Sequence, residues 1–168
     1  MKGWLAGRTA HLVGEAPAIA AALAAQGAEL VASDMADVLV HVAAAPACRP
    51  SHELPYEDWR ATLDAGLDQR FRLAQAFVAG RRAEGRGGAI VFVGAPEQAL
   101  GADQAAASGA LGNLTKTLAV EWARDGIRIN CVRSSDPTAT LANLVAYLAS
   151  DYAAYVTGAV LGVDVGDG

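Results

Sequence analysis

The sequence predicts an α/β fold with a doubly wound, three-layer architecture around a six-stranded, mainly parallel sheet. Short apolar runs of four to six residues alternate with helical stretches along the whole chain. That rhythm suits strands joined by right-handed helical crossovers. Within each run the apolar residues do not alternate with polar ones, as expected of parallel strands buried on both faces. With 168 residues, the chain suits one domain, residues 1–168, with a real core.

Thr9–Val13 reads as the first strand. The alanine-rich stretch Pro17–Gln26 follows as a helix, with proline in its first turn and Gly27 as its C-cap. Glu29–Ala32 and Val38–Val42 are the second and third strands, and residues 43–54, with Pro46 and Pro50, form a loop. Tyr56–Glu84 reads as one long helix, because Trp59, Leu63, Leu67, Phe71, Ala74 and Val78 recur at helical spacing. Gly85–Gly88 breaks it, and Ala89–Val93 is the fourth strand. Asp103–Arg124 is a second long helix with an apolar stripe of Leu111, Leu114, Leu118 and Trp122. Ile127–Val132 is the fifth strand, Thr138–Leu148 a helix, and Ala159–Val163 the sixth strand.

Hydrophobic residues make up 53% of the chain and charged residues 18%, which excludes disorder. So apolar a composition points to surface covered by other subunits. The formal net charge is −5, and the one basic cluster, Arg81, Arg82 and Arg86, ends a helix whose dipole it suits. A nucleic-acid partner is therefore not expected. Cys48 and Cys131 form no paired motif. No apolar run approaches the roughly 18 residues of a membrane helix. The N-terminus reaches a strand within ten residues, without a signal peptide, so the expected location is the cytoplasm.

Several segments resemble the short-chain dehydrogenase/reductase family. LGNLTKTLAVEWARDGIRINCV, residues 111–132, resembles its fifth helix and following strand. LANLVAYLASDYAAYVTGAVLGVDVG, residues 141–166, resembles its last helix and strand. LAGRTAHLVG, DVLVHVAAA and LPYEDWRATLDAGLDQRFRLAQAF fall where the first strand, the strand ending in Asn-Asn-Ala-Gly and the long helix before the catalytic strand lie. The resemblance implies a Rossmann-like domain. Between Asp34 and Val38 the family has a helix, a strand and another helix; here Met35-Ala36-Asp37 must join two strands directly. The shortened sheet is then expected in the order 2-1-3-4-5-6.

The departures from the family fall at its functional positions. Its nucleotide loop, Thr-Gly-x-x-x-Gly-x-Gly, lets the backbone approach a pyrophosphate on a helix N-terminus. Here Val13-Gly14-Glu15-Ala16-Pro17-Ala18-Ile19-Ala20 keeps only Gly14. The stretch from Gly14 to Gly27 is also short by about one turn of helix. Glu15 is expected to repel phosphates and to satisfy the helix dipole itself, and Pro17 removes an N–H donor. Asp34 matches the acid that contacts an adenosine ribose in NAD-preferring members; the plainer reading is a turn or cap residue.

The family's catalytic set is Ser, Tyr and Lys, helped by an Asn, with Tyr as acid, Lys lowering its pKa and Ser polarising the carbonyl. Alignment on Leu111–Lys116 puts Gln104 at the Tyr position and Ser108 at the Lys position. Ala95 falls at the Ser position and Gly66 at the Asn position. Ser134-Ser135 replaces the Pro-Gly over the nicotinamide, and His41-Val42-Ala43-Ala44 replaces Asn-Asn-Ala-Gly. Gln, Ala and Gly cannot do the work of the groups they replace. The segments that retain the resemblance are those that build subunit interfaces in the family.

Other chemistry is thinner. His41, Cys48 and His52 could suggest a metal, but match no zinc spacing. His41 and Glu15 could form an acid–base pair at the C-terminal edge of the sheet, where open α/β sheets bind ligands. Ser134-Ser135-Asp136 before Pro137-Thr138 reads as a helix start rather than a nucleophile elbow. The small residues Ala105, Ala106, Ala107, Gly109, Ala110 and Gly112 suit packing on the sheet, on a partner helix, or on both.

The sequence thus leads to the expectation of a non-catalytic subunit, a pseudoenzyme, that pairs with an active short-chain dehydrogenase/reductase or with itself. No catalytic, cofactor-binding or metal residue is assigned in that reading, and no cofactor of its own. The alternative is an NAD(P)-dependent short-chain oxidoreductase, or a cofactor-free acid–base enzyme using His41 and Glu15.

Overall fold

The first strand, β1 (Thr9–Val13), lies second in a six-stranded parallel sheet of order β2-β1-β3-β4-β5-β6. The structure is a computed structural model and describes residues 3–43, 48–94, 101–134 and 139–163. The strands are β2 (Glu29–Leu30), β3 (Val38–Val42), β4 (Gly88–Gly94), β5 (Ile127–Ser134) and β6 (Val160–Val163). The helices are α1 (Pro17–Ala25), α2 (Tyr56–Leu63), α3 (Gln69–Ala83), α4 (Ala102–Trp122) and α5 (Ala139–Ala149). The strand order is the one the sequence predicts. Thr138, the expected start of the last helix, lies outside the described residues.

Side chains alternate across the sheet and both faces are dry. On one face Val38, Val40, Val91 and Val132 pack against Ile19 and Leu23 of α1 and Val145 of α5. On the other, Leu39, Ile90, Phe92 and Ile129 pack against Phe77 of α3 and Leu111 and Leu118 of α4. The expected α4 stripe holds: Leu111, Leu118 and Trp122 are buried and Leu114 packs against the same cluster. Of the small residues on α4, Ala107 and Gly112 are buried, while Ala105 and Gly109 are exposed.

α1 starts at Pro17 and ends in a Schellman motif. Gly27 takes φ +88°, its N–H bonds Ala24 O at 2.8 Å, and the Ala28 N–H bonds Leu23 O at 3.1 Å. β2 is only two residues long, shorter than expected, and the chain turns at once through Ser33–Ala36, closed by Ala36 N to Ser33 O at 3.2 Å. This turn is the direct connection between β2 and β3.

The long helix over 56–84 is not continuous. A π turn, Asp64–Asp68, separates α2 from α3. A π turn closes i→i+5 bonds and so holds an extra residue; beyond it Ala74 and Val78 are buried as the stripe predicts. Phe71, expected inside, is exposed, and Arg70, Ala74, Phe77, Val78 and Arg81 are the buried residues of α3.

At the N-terminal edge of the sheet Asp37 is a buried hub. Its Oδ2 accepts from Thr9 N at 3.0 Å and Thr9 Oγ1 at 3.1 Å. Its Oδ1 pairs with Arg81 Nη2 at 3.1 Å and Arg86 Nη2 at 3.0 Å. Burial alone would raise the carboxyl pKa; the Thr9 bonds and the Arg81 and Arg86 charges overcome it and hold the group below its ordinary range. Asp37 therefore adds stability above the unfolded carboxylate pKa and loses it as pH falls through the folded value. Replacing Asp37 with Ala leaves buried Arg81 without this partner and is expected to cost about 3–5 kcal/mol. Urea unfolding near neutral pH checks this, and wild type and variant should converge in strongly acidic solution.

Candidate functional site

The C-terminal ends of β1, β3, β4 and β5 form the edge at which open α/β sheets bind ligands. Gly14 follows β1 with φ +99°, and a Cβ there would lie 2.0 Å from the Val42 carbonyl oxygen at the end of β3. The close approach of two backbones thus demands glycine whether or not a nucleotide binds. Glu15 is exposed and lies outside the first turn of α1, whose N-cap is Ala16, with no side-chain cap bond. The expectation that Glu15 satisfies the helix terminus is corrected: it precedes the cap residue. Asp34 sits in the Ser33–Ala36 turn, largely exposed, with its Oδ1 3.7 Å from His11 Nδ1.

On α4, Asp103 is buried and accepts from Thr62 Oγ1 at 2.6 Å. Gln104, next in sequence, is buried too. Ser108 has a buried hydroxyl without a hydrogen-bond partner, and its carbonyl accepts from Arg133 Nη2 at 2.7 Å. Arg133 Nη2 would lie 2.6 Å from a Cβ on Gly112, so the glycine lets the guanidinium rest on α4. Gly66 lies in the π turn, and a Cβ there would meet Ala107 Cβ at 3.0 Å. Ser134 ends β5. Ala44, Ala95, Ser135, Asp136, Pro137 and Thr138 lie outside the described residues.

His41 is 4% exposed and occupies the α3/α4 face of β3, since Val40 and Val42 belong to the other cluster. It aligns across the sheet with Phe92 on β4, which aligns with Cys131 on β5. Arg70, 2% exposed, stacks over the middle of this row, with its Cζ 5.8 Å from the Phe92 ring centre. Arg70 Nη2 donates to the Val93 carbonyl at 2.7 Å, while Nε and Nη1, and His41 Nδ1, have no hydrogen-bond partner. Burial brings the guanidinium down to about 10, still charged at neutral pH. Burial, and secondarily Arg70, pushes the His41 imidazole down to about 4, and burial pushes the Cys131 thiol up to about 11.

No ion pair joins His41 to Glu15 among the described residues; the nearest charge acting on His41 is the like charge of Arg70. His52 is exposed against Glu53, and Cys48 is exposed, so the structure does not gather them with buried His41. Among the described residues no three His, Cys, Asp or Glu side chains could hold a metal ion. The residues that sequence reasoning missed are Arg70 and Arg133. The available signal was the charged Arg70 between Leu67 and Ala74 of the apolar stripe.

A family model described as enoyl-(acyl carrier protein) reductase matches residues 34–143. The D-threitol dehydrogenase of Mycolicibacterium smegmatis is 34% identical over 137 residues, 79% of this chain and 50% of that protein. This chain belongs to the short-chain dehydrogenase/reductase family. The galactitol 2-dehydrogenase (L-tagatose-forming) of Cereibacter sphaeroides is 29% identical over 184 residues, 88% of this chain and 71% of that protein. Among solved structures, one described as an NAD(P)-dependent gluconate 5-dehydrogenase from Beutenbergia cavernae, with NADP bound at low occupancy, superposes with TM-score 0.84. It is 26% identical and covers 95% of this chain and 96% of that chain. An acetoin dehydrogenase from Enterobacter cloacae shares the fold at TM-score 0.80, with 24% identity over 95% of this chain and 96% of that chain. The chain spans about half the length of the D-threitol dehydrogenase it matches. In this short-chain dehydrogenase/reductase no described helix is long and apolar enough to cross a membrane.

His41 carries a pH dependence with a definite sign. The unfolded imidazole binds a proton near pH 6.5, whereas the folded one refuses it until about 4. Stability is therefore full above the higher value and falls as pH drops between the two, by about 3 kcal/mol. Urea unfolding across that window should show the loss in wild type, and His41→Phe should remove most of the slope.

Proposed function

We propose that this chain is a non-catalytic subunit of the short-chain dehydrogenase/reductase type. It assembles with an active family member, or with itself, and stabilises or shapes the partner's substrate pocket. The observation that carries this reading is the content of α4 and the π turn. Gln104 and Ser108 stand at the positions that match the family's Tyr and Lys, and Gly66 at that of its Asn. A glutamine has no proton to give at an accessible pKa, and without the lysine nothing lowers a neighbour's. Exposed apolar residues on the two long helices, Phe71 and Val120, supply part of an assembly surface, and β6 leaves a sheet edge open.

A second reading, an NAD(P)-dependent oxidoreductase, is the one the comparisons favour. The matching relatives are named dehydrogenases and reductases, and one structural neighbour holds NADP. The groups present fit that cofactor poorly in the family's manner: of the phosphate-loop glycines only Gly14 remains, and packing already accounts for it.

The two readings separate on one experiment: co-expression with an intact family member, followed by size and composition analysis, beside NAD(H) and NADP(H) titration of the chain alone. The subunit reading predicts co-purification, or self-assembly, with no nucleotide binding by this chain. A monomer that ignores candidate partners and binds nucleotide at micromolar concentration sinks it in favour of the oxidoreductase.

A further inference from the structure

We infer that this chain carries a carboxylate-binding site at the C-terminal edge of β4, built from the guanidinium of Arg70 and the imidazole of His41. The site holds under either reading of the chain's function.

The first ground is charge. A buried guanidinium is normally paired with a carboxylate, because an uncompensated buried charge is among the costliest features a fold can carry. Arg70 is 2% exposed, forms no ion pair among the described residues, and uses one of its three nitrogens, on the Val93 carbonyl. The Phe92 ring beneath it offsets part of the desolvation but supplies no counter-charge. Its polar neighbours on the sheet are neutral near pH 7: the Cys131 thiol because burial raises it to about 11, and the His41 imidazole because burial and Arg70 lower it to about 4. One positive charge and unused donors therefore remain.

The second ground is the donor set. Arg70 Nε and Nη1 and His41 Nδ1 are all buried and lack hydrogen-bond partners. A neutral imidazole with its proton on Nδ1 can donate to an oxyanion that also meets the guanidinium. The planar fork of arginine matches the two oxygens of a carboxylate. A monoanion balances the single charge, whereas a phosphate dianion would bring an excess negative charge into the same dry place.

The third ground is access. Gly94 ends β4, and a Cβ there would meet only Arg70 Nη1 at 3.7 Å and Leu111 Cδ2 at 3.8 Å, ordinary contact distances. The end of β4, which carries no side chain at Gly94, thus adjoins the unused Nη1. A small carboxylic acid would approach Arg70 from this strand end.

Formate is the probe. The whole chain is titrated with sodium formate against sodium chloride at equal ionic strength, following thermal unfolding and the Arg70 Nε–Hε resonance. The expected result is a saturable rise in Tm and a saturable movement of that resonance with formate alone. Arg70→Met should weaken formate binding by about tenfold or more, and His41→Phe by less. An equal response to chloride, or the same formate response in Arg70→Met, overturns the proposal. Should Arg70→Met fail to fold, Arg70→Lys keeps the charge without the fork and should still weaken formate binding. The wild-type resonance needs no variant: if formate leaves it unmoved, the site does not exist.

Discussion

The sheet is parallel throughout, and a parallel sheet has to be covered on both faces. Every other feature follows from that demand. Each strand must carry apolar residues at consecutive positions, so the strands read as unbroken runs. Each connection must cross over a face, so helices fall on both sides: α1 and α5 against one cluster, α3 and α4 against the other. The residues that break this apolar rule are then conspicuous. Asp37 marks one edge of the sheet, held by Thr9, Arg81 and Arg86. His41 and Arg70 mark the other.

The two polar edges differ in how their charge is settled. At the N-terminal edge a buried carboxylate meets arginines and backbone donors, and each partner lowers the cost of burying the others. At the C-terminal edge Arg70 has a carbonyl and a ring but, among the described residues, no counter-ion. A fold that resolves its buried charge so fully at one end and leaves it open at the other points to the open end as the place where something binds. That end is also the edge at which open α/β sheets bind ligands.

The direct turn from β2 to β3 removes a helix, a strand and another helix relative to the family pattern, and the sheet closes over the gap because β1 already pairs with both β2 and β3. The cut therefore costs an edge of the sheet, not its core. This explains how a chain spanning half of a relative's length can keep the family's fold.

The sequence by itself determined the fold class, the six strands, their order, the start and cap of α1 and the face of α4, because uninterrupted apolar runs, helical periodicity, Pro17 and Gly27 are local signals. Tertiary structure alone decided where the charges went. The π turn at Asp64–Asp68 carries no marked sequence signature, and the face of α3 that follows it buries Arg70 and exposes Phe71. Among the described residues no ion pair joins Glu15 to His41: both lie near strand ends in sequence, but alternation puts His41 in the α3/α4 layer while Glu15 is exposed. Gly14 shows the opposite case, a residue visible as a motif remnant whose need for glycine comes from the Val42 carbonyl across the strand. Periodicity fixes which face of an element is buried; only the packed neighbours fix what a polar group on that face meets.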